Sequence, residues 1–341
     1  RIPEWPKGTD CKSAANCFDG SNPSPSSEES LESGSFFCKN TLADRSIIVW
    51  KRSRWGKDMS DTRKIKNMSL EKICNSGQCF RMWRREDMDG SESEMEKHAE
   101  TYVLIAGNHW LEVSQTEDTF RFSCDEEEYK TFWNSYFDVD TDYDAVIRQI
   151  DPADEYLLRA AEFGYGIRIL RQDLWEMIIT FIISQQNNIR RIRKCIETIC
   201  EAYGSRCTAP DGTVYYGFPT PDQLACATEE ELRARNLGYR SRYLVETARM
   251  IRDGEVSLEH LKKLPVAEAR EELLKLCGVG RKVADCICLF ALHDLEAFPV
   301  DTHIRQVLEK HYPEGFPFEK YPDTAGILQQ YIFYYDLKKG E

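Results

Sequence analysis

The 341-residue chain is 41 % hydrophobic and 11 % aromatic, a globular composition with room for two or three packed lobes. Its longest apolar run, residues 178–183, is far short of the ~20 residues that span a bilayer, so no membrane association is expected. The net charge of −13, taken alone, argues against a nucleic-acid binder, yet the acid is unevenly placed: residues 61–160 carry 12 basic and 23 acidic side chains, residues 161–341 carry 24 and 27, and residues 1–60 carry 9 and 8.

No charged-then-apolar segment opens the chain, so no secretory signal is expected. The thirteen cysteines are scattered, without paired C-x-x-C spacing. They read as free, mostly buried thiols in an intracellular, reducing compartment, and neither metal site nor cofactor is expected. Cys286 and Cys288, two apart on a helix, face different directions.

Residues 1–45 are rich in Ser, Pro, Gly and Glu, too polar to offset their ordering entropy, so 1–58 reads as a disordered leader and linker. The mixed basic stretch 51–66 reads as solvated. From 69 to 137 the signal is β, with runs at 101–105, 109–113 and 119–123 separated by Gly107-Asn108 and by polar 115–118, as in an antiparallel meander. Acidic 87–100 reads as a surface loop. The β lobe is expected over 59–145.

Beyond about residue 140 the period turns helical. Ile189, Ile192, Ile196, Ile199, Cys200 and Tyr203 fall on one stripe, and Gly204 follows where a left-handed helix end belongs. Leu244, Val245, Ala248 and Ile251 repeat the pattern up to Gly254, and 174–183 is apolar all round, as in a buried central helix. The fold class is therefore α+β: a small antiparallel β lobe followed by a larger helical body over 146–341.

The segment 273–304 is the most informative. A helix ends near Leu276, Cys277-Gly278-Val279-Gly280 turns sharply, and a second helix starts at Arg281. Gly278 and Gly280 bare the amides of that helix start, a natural phosphate site. Lys282 sits in the first turn, where the dipole disfavours its charge and would depress its pKa. Asp301, in PVDTHI, reads first as a helix N-cap, which holds a carboxylate rigidly without barring it from chemistry. Taken alone, Lys282 is a snorkelling lysine, Arg191 and Arg240 are a solvated helix face, Phe333 and Cys286 are core, and Gln329 is surface.

LCGVGRKVADCICLFAL followed by FPVDTHI resembles the helix-hairpin-helix/Gly-Pro-Asp superfamily of DNA glycosylases and, within it, the 8-oxoguanine DNA glycosylase family. The likeness spans about residues 69–338 and recurs in NSGQCFRMW (75–83), SQQNNI (184–189), GFP (217–219), LGYRSRY (237–243) and AGILQQYIF (325–333). It implies a bifunctional enzyme, expected to be a monomer, that acts on duplex DNA and excises 8-oxoguanine opposite cytosine, with its cleft between two helical parts. Lys282 would be the Schiff-base nucleophile and Asp301 the carboxylate that steadies the sugar cation. Phe333 would stack on the flipped purine, Gln329 would bond its pairing edge, and Cys286 would lie on the other face. The Gly77 carbonyl would accept from N7, which carries hydrogen only after oxidation at C8. Asn187, Arg191, Tyr239 and Arg240 would fill the vacated stack and contact the orphaned cytosine, and His303 would touch a phosphate. The family's usual triple asparagine is here Gln186-Asn187-Asn188, which bears on opposite-base preference.

Two other readings fit less well. An endonuclease III-like enzyme usually carries a C-terminal four-cysteine cluster, whereas no cysteine follows Cys288. A non-catalytic helix-hairpin-helix module has no need of Lys282, Asp301, Gln329 and Phe333 together.

Overall fold

A computed structural model describes residues 62–86 and 99–339. The leader 1–58, most of the basic stretch and residues 87–98 of the acidic loop lie outside the described residues.

Five short strands, Thr62–Lys64 (β1), Met82–Arg84 (β2), Glu100–Ala106 (β3), His109–Thr116 (β4) and Thr119–Phe122 (β5), form one antiparallel sheet in the order β1-β5-β4-β3-β2. The meander β3-β4-β5 follows the alternating runs. Its first turn, Gly107-Asn108, joins the paired residues Ala106 and His109, and Gly107 takes the positive φ (57°) that a tight hairpin requires. In β3 five successive residues are buried rather than alternate ones. Val103 and Ile105 are covered by Ala209 and Tyr215, next to or on a second hairpin, Arg206–Thr208 (β6) with Val214–Tyr216 (β7). Tyr102 and Leu104 pack on the other face against the group that includes Trp133 and Phe137.

Two parts of the β-rich reading are corrected. Leu70–Asn75 is a helix (α1), because Ser69 caps it and Leu70, Ile73 and Cys74 share one buried face. Residues 126–136 are also helical, with a π turn at Tyr129–Trp133, opened by the Asp125 cap. The basic stretch is not wholly solvated linker either, since Thr62–Lys64 pairs with β5.

The body follows as Tyr143–Arg148 (α2), Glu155–Phe163 (α3), Leu174–Ser184 (α4), Ile189–Tyr203 (α5), the short Pro221–Ala225 (α6) and Glu229–Ala234 (α7), Arg240–Arg252 (α8), Leu258–Leu261 (α9), Val266–Leu273 (α10), Arg281–Phe290 (α11), Thr302–His311 (α12) and Ala325–Lys338 (α13). Every residue from Leu174 to Ile183 is buried, so α4 is the central helix that the apolar run implied. Lobe and body are bolted together by buried polar groups. The Arg168 guanidinium donates to six main-chain carbonyls, at 66, 67, 137, 138, 139 and 141. Arg81 donates to Glu197 at 2.7 Å and to the Tyr216 carbonyl at 2.7 Å. Buried cations bonded this heavily fix one arrangement of the layers.

Gly204 is not the left-handed helix end anticipated from its position. Its φ and ψ are −76° and 164°, ordinary extended backbone. Glycine is needed there for space, because a Cβ would meet the Gly217 carbonyl oxygen at 2.0 Å and that of Cys200 at 2.6 Å. Gly204→Ala is therefore expected to cost about 1–3 kcal/mol in urea unfolding, as overpacking does. An unchanged midpoint would show that the α5-to-β6 junction yields freely.

Candidate active site

Lys282 is the second residue of α11. The helix starts there because Gly278 takes φ 81° with its Cα against the Tyr243 ring, where a Cβ would lie 2.6 Å away, and the chain then runs extended through Gly280. Gly280 offers no side-chain acceptor to the amides of the first turn. Lys282 does not snorkel to water. Its Nζ lies 5.6 Å from the centre of the Phe181 ring on α4.

Asp301 is the N-cap of α12, and its Oδ1 accepts from the Ile304 amide at 2.9 Å, as the sequence suggested. It lines, with Lys282, one hollow that is open to solvent. Cys286, Gln329, Phe333 and Gly77 line the same hollow. Cys286 is one turn beyond Lys282 on the same helix face, whereas Cys288 points to a separate groove. Gln329 is buried, not surface. Its Nε2 donates to the Pro299 carbonyl at 3.1 Å, and its Oε1 is buried with no partner. An acceptor left bare in this way costs about 1–3 kcal/mol unless a donor arrives. Phe333 lies one turn further along the same face of α13.

Gly77 is brought to this hollow from the β lobe by its neighbours. Gln78 donates to the Arg168 carbonyl at 2.9 Å and accepts from the Leu170 amide at 2.9 Å, and its own carbonyl accepts from Gln172. Gly77 takes φ 76°, and a Cβ there would press on the Phe333 ring at 3.1 Å. Both the conformation and the ring demand glycine.

The electrostatics reverse one expectation. The Cys286 sulfur first, and also the Asp301 carboxylate, hold the Lys282 amine above the ordinary lysine range, against burial that pushes it down. Burial in turn pushes the Cys286 thiol up. The open hollow thus keeps the amine as an ammonium, and the depressed pKa expected from the helix start is not found.

The remaining candidates gather elsewhere, around the end of α4. Tyr239 is 41 % exposed, with its hydroxyl 3.5 Å from the Gln185 carbonyl. Arg191 is exposed and donates to the Asn236 carbonyl at 3.1 Å. Asn187 donates to the Ile183 carbonyl at 3.1 Å. Arg240 is not on a solvated face. It is buried, and its guanidinium is committed to the carbonyls of Gln185 and Gln186. His303 stands by the hollow, edge-on to Phe333 at 6.1 Å, with Nδ1 3.2 Å from Asp336.

Ser76, Phe181, Phe290, Pro299 and Gln330 also line the hollow and were not anticipated. Phe290 was within reach, being eight residues beyond Lys282 on the same helical stripe. Phe181 was not, because an aromatic in a continuous apolar run looks like any core residue. Among the described residues no group of three or more His, Cys, Asp or Glu could hold a metal ion, and no helix is long and apolar enough to cross a membrane. Six of the ten described cysteines are buried.

Residues 62–178 match the family model for the 8-oxoguanine DNA glycosylase N-terminal domain, and 179–315 match that of the HhH-GPD superfamily of base excision DNA repair proteins. The N-glycosylase/DNA lyase of Saccharomyces cerevisiae is 31 % identical over 259 residues, covering 72 % of this chain and 68 % of the yeast protein. An Arabidopsis thaliana N-glycosylase/DNA lyase is 38 % identical over 50 % of this chain and 52 % of its own length. The Clostridium acetobutylicum 8-oxoguanine glycosylase/lyase, solved with duplex DNA holding cytosine opposite the lesion, superposes with a TM-score of 0.73 at 36 % identity, over 83 % of this chain and 99 % of that one.

Only an uncharged amine undergoes reductive methylation, so the pH dependence of labelling at Lys282, read by peptide mass spectrometry, reports its titration. The native lysine should label only at higher pH than an ordinary surface lysine, and Asp301→Asn should move the curve to lower pH. A curve unmoved by Asp301→Asn would mean that the carboxylate does not act on the amine.

Proposed function

The chain belongs to the N-glycosylase/DNA lyase family of helix-hairpin-helix base excision enzymes, and on that premise we propose that Lys282 is its nucleophile and Asp301 the carboxylate partner. The enzyme is a bifunctional 8-oxoguanine DNA glycosylase and lyase. The observation that carries the residue assignment is the shared hollow, in which an amine, a capped carboxylate, an aromatic face and an unpartnered amide oxygen converge.

The chemistry follows from those groups. A flipped nucleotide that fills the hollow strips water from Lys282, which favours loss of its proton. Neutral Nζ then attacks C1′ as the N-glycosidic bond breaks, and the departing purine takes up a proton. Asp301 faces the positive charge that develops on the sugar. Ring opening yields a Schiff base on Lys282, whose electron-withdrawing carbon permits β-elimination of the 3′ phosphate. The base is read by Phe333 stacking, by Gln329 at its pairing edge, by Cys286 behind it, and by the Gly77 carbonyl at N7.

DNA is held, in this reading, by the Gly278–Gly280 turn and His303 at phosphates, and Tyr239 enters the vacated stack beside Asn187 and Arg191. Arg240, whose Nε and Nη2 are held by the carbonyls of Gln185 and Gln186, contacts the orphaned cytosine through its remaining Nη1 donors. Cytosine opposite the lesion is the favoured partner, by analogy with the clostridial complex. We place the boundary of the β lobe near residue 145 and the cleft between the two helical parts of the body, and take the enzyme to act as a monomer inside the cell.

Lys282→Gln should lose base release and borohydride trapping on 8-oxoguanine duplex by at least ~10³-fold while still binding it. Retained excision would reassign the nucleophile. Gln329→Ala should erode the preference for 8-oxoguanine over guanine by roughly 1–3 kcal/mol, read as the ratio of single-turnover rates. An unchanged ratio would remove Gln329 from the pocket's recognition.

A further inference from the structure

One side chain joins the two halves of the DNA-facing surface without facing DNA itself. Gln185 follows the last residue of α4, with extended φ and ψ of −60° and 126°, and the next residue, Gln186, takes the strained φ of 47°. The Gln185 amide Nε2 donates to the Gly278 carbonyl in the α10–α11 hairpin at 2.9 Å and to the Ile182 carbonyl at 3.2 Å. Its main-chain carbonyl accepts from Arg240 Nε at 2.9 Å and Nη2, and lies 3.5 Å from the Tyr239 hydroxyl. The circuit closes on the far side. The Arg240 guanidinium lies 4.6 Å from the Tyr239 ring, Tyr239 meets Tyr243 edge-on at 5.9 Å, and Tyr243 packs on Gly278.

We propose that Gln185 is a positioning residue that fixes the distance between the phosphate-gripping hairpin and the Tyr239/Gln186–Asn188 segment, so that opposite-base discrimination depends on it although it touches no base. The inference rests on the reading of those two surfaces given above. Gln185 bonds to both Gly278 and Arg240 and so ties the loop that follows α4 to the hairpin and to α8 at once, while Thr247 and Glu246 on α8 separately hold Cys277 of the hairpin. Cutting the side-chain tie leaves the main-chain tie intact, so α4 and Arg240 keep their places. What is lost is the fixed offset between phosphate grip and inserted loop, to which a reaction needing sub-ångström placement is sensitive.

The test compares native chain and Gln185→Met, which keeps the volume and removes the donor, on duplexes with 8-oxoguanine opposite cytosine or adenine. With the variant folded by thermal melting, the coupling predicts a KM raised roughly tenfold opposite cytosine, kcat changed less than about threefold, and the cytosine-over-adenine ratio of kcat/KM reduced about tenfold. A purely structural role would lower both substrates alike. Gln185→Asn, whose amide stops one methylene short, should show the same loss and serves if Gln185→Met fails to fold. An undiminished ratio in a folded variant, beside a native chain that discriminates, overturns the coupling alone. A native chain that neither discriminates nor traps overturns the underlying reading and this proposal with it.

Discussion

Everything in the site turns on one electrostatic arrangement: an amine lining an open hollow at the start of a helix, held as an ammonium by the Cys286 sulfur and the Asp301 carboxylate. The helix start and burial both disfavour the charge. The Cys286 sulfur and Asp301 outweigh them, so the resting enzyme keeps Lys282 protonated. A free nucleophilic amine in an open hollow would meet any aldehyde in the cell. Under the proposed role of Lys282, tying its deprotonation to the arrival of a nucleotide would confine reactivity to occupied enzyme.

The fold serves to bring four distant pieces of chain to that amine. Lys282 arrives on α11 and Asp301 at the tip of α12. Gln329 and Phe333 come from the last helix, and Gly77 from a segment of the β lobe clamped by Gln78, Gln172 and Gln330. Buried polar side chains bridge lobe and body around the Gly77 segment. Such bridges cost more when half made than when absent, so the arrangement is specified as one unit rather than as two lobes that drift. The β sheet contributes no catalytic group; it carries the Gly77 segment.

Period and turn chemistry revealed the long elements. The stripe from Ile189 to Tyr203 is one helix to the residue, and the Gly107-Asn108 turn sits between β3 and β4. What escaped was short or doubly covered. Thr62–Lys64 and Met82–Arg84 are three residues each, too brief for an alternation to register, and β3 loses its alternation because the β6–β7 hairpin region covers its second face. Gly204 was assigned a plausible reason and had another, because the oxygen it avoids belongs to residue 217 and no local pattern records it. In the site, Asp301 as a cap was legible from PVDTHI alone. Gln329 and Arg240 were not: each is polar within a helix, and only tertiary packing decides that one ends beneath a hollow and the other beneath a loop.

The account stands or falls on which atom bonds to the sugar. Reduction with borohydride during turnover of an 8-oxoguanine duplex, followed by nuclease and protease digestion and tandem mass spectrometry, locates that bond directly. The sugar remnant should sit on the Nζ of Lys282 and on no other lysine. A remnant on another residue, or excision that leaves the protein unmodified, would contradict it.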